Sequence, residues 1–257
     1  MALDMNPDRK AIDKLIERQC RIWESRRLEL AGKTTGEHVQ KKYPIVTVSR
    51  MRGSQGRHIA EELAKRLHYR FLDREVIDEI CRTSKYREHI IELVDECALR
   101  EIDVIHSPML KRKYIGKTRY FDYLTRVVLS LSSLGGVVVL GRCASYIVSP
   151  SQALRIRIVA PVARRIDNLI KFEKMTRQEA ASEVGRSDKH RANFVKRYFK
   201  QAVKSLDQYD ILINTAYYDV NDAIDLAEEA MWRKFPPGKS EKRRPKTKQI
   251  SFRLRGR

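Results

Sequence analysis

The feature that constrains this chain most is a strand, a glycine-containing turn and a helix that follow one another within residues 45–67. Residues 45–48 form an apolar, β-branched run that is typical of a buried strand. After the turn, Ile59, Leu63 and Leu67 recur at four-residue spacing, which predicts one apolar face of a helix. This order of elements aims several backbone N–H groups and a helix N-terminus at one point. We therefore expect that point to bind an anion, most often a phosphate.

The turn is an irregular version of the phosphate-binding loop pattern GxxxxGK[ST]. Gly56 fits the second glycine, whereas Met51, Arg57 and His58 stand where the first glycine, the lysine and the hydroxyl residue belong. An ordinary tight connection between a strand and a helix is the alternative interpretation. Three arginines crowd the turn and favour phosphate, because guanidinium forks match phosphate oxygens; they are Arg50, Arg52 and Arg57. The predicted phosphate-binding residues are Arg52, Gly53, Ser54, Gln55, Gly56, Arg57 and His58.

The residues of this turn resemble those of the cytidylate kinase-like proteins, a branch of the P-loop nucleoside monophosphate kinases. The resemblance rests on SRMRGSQGRHIAEELAKRL over residues 49–67, followed by FLDREVIDEI over residues 71–80. That branch is similar to this chain in carrying an arginine in place of the P-loop lysine. Three later segments occur in the family's order, namely GRC at 141–143, an Asp-x-x-Arg-Ala at 188–192 and YDILINT at 209–215. The resemblance covers about residues 43–235.

Strand and helix patterns alternate along the chain, which indicates an α/β fold. Apolar strand patterns lie at residues 71–72, 137–140, 155–160 and 209–215, and Thr176 with Glu179 predicts a capping box for a helix through Val184. The resemblance implies a three-layer P-loop NTPase-type fold, with a parallel sheet of about five strands flanked by helices and a helical lid. We divide the chain into three parts: an N-terminal amphipathic helical extension at 1–42, a P-loop nucleoside monophosphate kinase-like domain at 43–235, and a basic disordered tail at 236–257.

The acceptor site is predicted where the run VVVL ends in Gly141 and Arg142, because ligands of open α/β sheets bind beyond the carboxyl ends of the strands. Simpler interpretations are a surface ion pair for Arg142, a helix cap for Asp73 and an intrahelical pair for Asp188 and Arg191. The resemblance implies instead that these four residues all contact the acceptor nucleotide. The chain departs from the family pattern at Cys143, where an aspartate is usual, and at Val184, where a lid arginine is usual; Arg186 is a possible substitute for that arginine.

Phosphoryl transfer requires two phosphates held in line and neutralisation of the charge on the moving group. We predict that Arg57 binds the β- and γ-phosphates of the donor and that Arg142 binds the acceptor phosphate. Arg164, Arg165 or Arg191 would meet the moving group from the closing lid. The predicted catalytic residues are Arg57, Arg142, Arg164 and Arg191. No metal-binding side chains are assigned, and Mg²⁺ is expected to arrive with ATP, since His58 cannot serve as a hard oxygen ligand.

The resemblance implies an ATP-dependent kinase that moves the γ-phosphate to a nucleoside monophosphate, with CMP or dCMP as the first acceptors. The irregular P-loop, Cys143 and the basic tail favour an alternative, a non-catalytic nucleotide-binding regulatory protein on the same fold. A third possibility is a kinase for another small phosphorylated or hydroxylated acceptor. The sequence does not determine the oligomeric state.

The net charge of +20 indicates anionic partners. Residues 236–257 carry nine lysine or arginine residues and one acidic residue, so the tail is expected to bind nucleic acid or anionic lipid weakly. A basic loop adds Lys111, Arg112, Lys113 and Lys117. No run of 18 apolar residues and no apolar signal core occur, so we expect a cytoplasmic protein without a transmembrane segment. The four cysteines include no CxxC pair and are expected to be reduced thiols.

Overall fold

A parallel sheet of five strands forms the middle layer of the part of the chain that the computed structural model describes, residues 7–31, 43–92, 119–199 and 206–236. The strands lie in the order β2-β3-β1-β4-β5, and every neighbouring pair is parallel. Their bounds are β1 Ile45–Arg50, β2 Arg70–Leu72, β3 Val137–Leu140, β4 Ala153–Val159 and β5 Ile211–Asn214. Each predicted strand segment is therefore confirmed, with ends shifted by a few residues.

Helices cover both faces of this sheet. Their bounds are α1 Pro7–Ala31, α2 Gly56–Arg66, α3 Arg74–Arg82, α4 Ser84–Glu92, α5 Arg119–Leu134, α6 Ala144–Ile147, α7 Val162–Glu173, α8 Arg177–Phe199 and α9 Val220–Lys234. The Thr176–Glu179 capping box is confirmed, since the Thr176 N–H donates to the Glu179 carboxylate at 2.8 Å and the Glu179 N–H donates back to Thr176 Oγ1 at 3.3 Å. Helix α8 does not end near Val184. It continues through the exposed Gly185, where no packing opposes a helical backbone, to Phe199.

The alternation of side chains along the strands divides the core into two layers. Val46 and Val48 of β1 pack with α2 and α9 on one face. Ile45 of β1 and Val139 of β3 pack with α1, α3 and α5 on the other face. Apolar side chains on both faces explain the continuous apolar runs in β1 and β3. Together these layers confirm the predicted three-layer α/β fold.

Helix α1 belongs to the second of these cores. Its Ile16, Cys20 and Trp23 are buried there. The Trp23 indole N–H donates to the Gly135 carbonyl oxygen, just before β3, at 3.3 Å. The amphipathic N-terminal pattern therefore produces a helix that packs directly on the sheet domain.

Several sequence predictions fall outside the described residues, namely the basic loop around Lys111, Cys97 and nearly all of the basic tail. Within the described ranges, Cys20, Cys81 and Cys143 are free thiols. In these same ranges, no helix has the length and apolar character that crossing a membrane requires.

Candidate functional site

The turn after β1 adopts a backbone that brings helix α2 onto the end of the strand. Gly53 has φ +81° and Gln55, the N-cap of α2, has φ +59°, so the chain passes twice through the left-handed region. A Cβ atom on Gly53 would lie 2.4 Å from the carbonyl oxygen of Arg165, and only glycine fits there. Helix α2 starts at Gly56, and the first N–H groups of a helix lack intrahelical partners and attract anions.

Neighbouring elements clamp this turn. The Ser54 side chain is buried, and its hydroxyl donates to the Met51 carbonyl at 2.8 Å. The Asn168 amide of α7 donates to the Gly53 carbonyl at 2.8 Å, and the Thr215 hydroxyl after β5 donates to the Ser54 carbonyl at 3.2 Å. Two amides of the turn are engaged as well, since the Met51 N–H donates to the Ile158 carbonyl at 3.0 Å and the Ser54 N–H donates to the Met51 carbonyl at 3.3 Å.

A cavity of about 430 Å³ lies beside this turn, beyond the carboxyl ends of β1 and β3, and α8 covers it. Guanidinium groups dominate its lining. The six arginines are Arg50, Arg74, Arg142, Arg157, Arg186 and Arg191. Among the described residues, Glu183 contributes the single carboxylate of the lining. The cavity is therefore strongly electropositive, as expected for a site that binds phosphate groups.

Arg142 occupies a tight turn at the end of β3. Gly141, Arg142 and Cys143 all have positive φ angles, of 85°, 50° and 54°. Successive left-handed residues without glycine are strained, and such strain is typical of functional sites. The guanidinium of Arg142 pairs with Asp78 of α3, while its buried Nε has no hydrogen-bond partner.

Arg50 links the turn after β1 to the cavity. Its Cβ lies 2.5 Å from where a Cβ on Gly56 would be, and its Nη1 lies 2.4 Å from the equivalent position on Gly141. No carboxylate of the described residues lies within ion-pair distance of its guanidinium. Burial, together with the nearby positive charges of Arg191 and Arg57, lowers the pKa of Arg50 from 12.5 to about 10.

Arg191 reaches the cavity from α8, and its charge is poorly compensated. Its Nη1 is 4.0 Å from the Asp188 carboxylate, and that buried nitrogen has no hydrogen-bond partner. Burial lowers the pKa of Arg191 to about 10, although Asp188 opposes the shift. Asp188 itself is held by Arg165 of α7 through two bonds of 3.0 and 2.8 Å.

The lid formed by α7 and α8 also contacts the phosphate-binding turn through Arg52. The Arg52 Nη1 donates to Glu173 at the end of α7 at 2.5 Å, and its Nε donates to Glu183 of α8 at 3.3 Å. Arg52 therefore holds the turn and the lid together.

The structure separates the residues predicted from sequence into two groups. Gly141, Arg142 and Arg191 line the cavity. Arg57 does not line it, because its guanidinium donates to Asp73 at 2.6 Å and to Glu61 at 3.0 Å. Arg57 and Arg142 nevertheless contact the same helix region, since Asp73 caps α3 and Asp78 lies within it.

Asp73 and Arg164 also lie outside the cavity lining. Asp73 accepts a hydrogen bond from the Val76 N–H at 3.1 Å, as an N-cap does. Arg164 is exposed on α7, and the adjacent Arg165 is the buried arginine of this helix.

Arg74 and Arg157 line the cavity without having been predicted from the sequence, and Arg50, which the sequence indicated only as one of three arginines crowding the turn, lines it too. The signal for Arg157 was the alternation in RIRIV, which predicted a more polar face for β4. The signal for Arg50 was its place in the arginine-rich turn. Within the described ranges, the structure contains no group of three or more His, Cys, Asp or Glu side chains suited to a metal ion.

The chain is similar to several known proteins to different extents. The structure resembles that of an uncharacterized protein from Eubacterium ventriosum, with a TM-score of 0.51 and 20% identity over 73% of this chain and 98% of that one. The match to shikimate kinase from Bacteroides thetaiotaomicron has a TM-score of 0.40 and 12% identity, over 74% of this chain and 97% of that one. Uronate isomerase from Corynebacterium glutamicum is 27% identical over 113 residues, which are 44% of this chain but only 22% of that protein.

The family comparison covers most of the chain. The model of the cytidylate kinase-like family matches residues 45–217, from the first residue of β1 to three residues beyond β5. This range contains the turn after β1, the residues that line the cavity, and helices α7 and α8. The chain therefore belongs to the cytidylate kinase-like family and is a kinase-like nucleotide-binding protein.

Proposed function

We propose that this protein is an ATP-dependent phosphotransferase that moves the γ-phosphate of ATP to a phosphorylated small molecule. Nucleoside monophosphates are the proposed acceptor class, with CMP and dCMP as the first candidates because of the family. One observation carries the proposal, the convergence of guanidinium groups from β1, β4, the turn after β3 and the lid on one cavity. Such groups stabilise phosphoryl transfer by neutralising the charge on the phosphates.

The proposed roles follow from position. The amides from Gly53 to the start of α2 would hold the β-phosphate of the donor. Arg142 would bind the acceptor phosphate, and Arg50 and Arg191 would meet the moving group between donor and acceptor. An oxygen of the acceptor phosphate forms the new bond to the γ-phosphorus, while the bond from that phosphorus to the bridging oxygen breaks and ADP leaves.

Magnesium enters this proposal as part of the substrate, MgATP. His58 is exposed and offers an imidazole rather than a hard oxygen ligand. The Ser54 hydroxyl donates to the backbone. We therefore expect the phosphates of ATP and water to supply most of the magnesium ligands.

The second candidate is a non-catalytic nucleotide-binding regulator on the same fold. The observation that favours it is that two of the three arginines of the turn after β1 are engaged by carboxylates of the chain itself. Arg52 pairs with Glu173 and Glu183, and Arg57 pairs with Asp73. Donor phosphates would have to compete with these carboxylates.

The test is to incubate the protein with MgATP and a panel of monophosphates and to measure ADP and diphosphate products. Arg142→Gln should lower the rate by about 10³-fold or more. Arg177→Gln is the matched control, because this exposed arginine pairs with Asp167 on the lid surface. Binding of ATP without turnover of any acceptor would favour the regulator, and normal turnover in Arg142→Gln would reject the proposed role of the cavity.

A further inference from the structure

One wall of the cavity is a polar patch formed by two paired strands. Thr47 and Ser49 of β1 and Arg157 of β4 line it, and Ser49 pairs in register with Arg157. Arg157 is only 6% exposed. Its Nη1 donates to the Ser49 hydroxyl at 2.5 Å, and its guanidinium lies 5.6 Å from the ring centre of Tyr209. A buried guanidinium at this wall therefore has a hydroxyl and a ring as its neighbours.

Arg155, two residues earlier on the same face of β4, provides an internal comparison. Its guanidinium donates to both oxygens of Asp210, at 2.9 and 3.4 Å. Arg157 has no carboxylate within 4 Å among the residues that the structure describes. Burying an ion without a partner is strongly unfavourable, so a positive charge placed there needs a counter-charge from elsewhere.

A count of the charges in the cavity shows which of its arginines lack a carboxylate as a partner. Arg74 and Arg142 share Asp78, and Arg186 shares Glu183 with Arg52 of the turn after β1. Three arginines remain without a close carboxylate of their own: Arg50, Arg157 and Arg191. Arg191 is 4.0 Å from Asp188, which Arg165 already binds through both oxygens. The proposed function assigns the acceptor phosphate to Arg142 and the moving group of ATP to Arg50 and Arg191, which leaves the buried Arg157 without a counter-charge.

We propose that the acceptor carries a second acidic group, a phosphate or a carboxylate, that Arg157 and the hydroxyls of Thr47 and Ser49 bind. Arg142 binds the phosphate that receives the transferred group, and Arg50 and Arg191 meet the moving group, as in the proposed function. The buried Thr47 hydroxyl has no hydrogen-bond partner, which is an independent sign that a polar ligand group belongs at this wall.

This inference rests on the proposed function and narrows its acceptor. CMP has one phosphate and would leave Arg157 without a counter-charge. A nucleotide with a second phosphate, a sugar bisphosphate or a phosphorylated carboxylic acid would supply both groups. The inference thus favours a phosphorylated acceptor other than CMP.

The test is calorimetric binding without ATP, using pairs of ligands that differ by one phosphate. CMP is compared with cytidine 3′,5′-bisphosphate, and ribose 5-phosphate with ribose 1,5-bisphosphate. In the unaltered protein, at least one doubly phosphorylated ligand should bind about 10- to 100-fold more tightly than its partner, the range for a charged hydrogen-bonded group. Arg157→Gln should remove this difference and leave the singly phosphorylated ligand within about threefold of its original affinity.

Two further variants keep the result interpretable. If Arg157→Gln folds poorly, Arg157→Lys tests the same point. It retains the positive charge and should keep part of the preference for the doubly phosphorylated ligand. Arg177→Gln, on the outer surface of the lid, should leave the preference unchanged. Equal affinities for both members of both pairs would overturn the inference. Equal weakening of both members by Arg157→Gln would also overturn it, because Arg157 would then bind the same phosphate as Arg142.

Adding MgATP to the same ligands separates this inference from the proposed function. Preference for a second acidic group that depends on Arg157, without ADP formation, would leave the inference standing and reject phosphoryl transfer. Turnover of CMP without any such preference would support phosphoryl transfer and reject the second acidic group.

Discussion

Arg50 carries a charge that the described part of the chain does not balance, and this gives it a testable effect on stability. Its pKa is lower in the folded protein than in the unfolded chain, where it is near 12.5. The protonated form is therefore disfavoured by folding at neutral pH, and removing the charge should stabilise the ligand-free protein. The same charge should make the protein respond to added phosphate, since an anion that binds only the folded state stabilises it.

We predict that Arg50→Met raises the free energy of unfolding of the ligand-free protein by about 1–2 kcal/mol. Thermal melting with and without phosphate measures both effects. The melting temperature of the unaltered protein should rise with phosphate, and that of Arg50→Met should rise much less. Arg177→Met serves as the control. A less stable Arg50→Met that keeps the full phosphate response would contradict the assignment of Arg50 to an anion site.

Gly53 and Gly185 differ in whether their surroundings leave room for a side chain. Gly53→Ala places a Cβ against the Arg165 carbonyl at a positive φ angle, so we expect a loss of about 2 kcal/mol in unfolding free energy and weaker ATP binding. Gly185→Ala lies in α8 with no heavy atom within 4 Å of the added Cβ, so a gain of about 0.5–1 kcal/mol is expected. Urea unfolding of both variants measures the difference, and equal effects would refute the close packing of the turn on α7.

At the scale of secondary-structure elements, Asp210 connects β4, β5 and α9 through hydrogen bonds. It accepts hydrogen bonds from the Arg155 N–H at 2.8 Å, from the Arg155 guanidinium, and from Lys234 of α9 at 2.6 Å. Burial alone would raise the pKa of Asp210, but the hydrogen bonds from Arg155 and Lys234 outweigh it and lower the pKa. Its stabilising contribution is therefore complete above about pH 4 and is lost as the pH falls through the lower, folded-state pKa.

We predict that Asp210→Asn lowers the unfolding free energy by about 2 kcal/mol at pH 7, because Arg155 is left buried without its counter-charge. Denaturant titrations at several pH values measure this. The difference between the unaltered protein and the variant should shrink below about pH 4. A difference that stays constant down to pH 2 would show that Asp210 acts by packing and not by charge.

The elements show how far the sequence predicts the fold. VVVL was recognisable as a strand because a sheet covered on both faces leaves a continuous apolar run. RIRIV was recognisable because successive side chains of a strand point to opposite faces of the sheet. The capping box located the start of α8 for the same local reason. The length of α8 was missed, because an exposed glycine within a helix and a glycine that ends one look alike without the surrounding structure.

The sequence likewise predicts some residues of the candidate site and not others. Arg142 and Arg191 were identified because they lie in segments shared with the family. Arg157 and Arg50 were not assigned roles, because their positions depend on strand register and on close approach to Gly56 and Gly141, which bring together residues far apart in sequence. The pairing of Arg57 with Asp73 was missed for the same reason.

At the scale of the whole molecule, helix α1 completes one of the two cores. Trp23 is buried against the sheet domain and donates to Gly135 before β3. We predict that Trp23→Ala lowers the unfolding free energy by about 3–5 kcal/mol, the usual cost of removing a large buried side chain. Urea unfolding followed by circular dichroism measures this. An effect below about 1 kcal/mol would mean that α1 is dispensable for the domain.

The account as a whole depends on transfer of phosphate within the arginine-lined cavity. The most direct measurement is single-turnover transfer of labelled γ-phosphate from MgATP to singly and doubly phosphorylated acceptors, with product identification. The account predicts label on the acceptor phosphate in the unaltered protein and in Arg177→Gln, and none in Arg142→Gln. Tight ATP binding with no labelled acceptor across the panel, or equal labelling in Arg142→Gln, would contradict it.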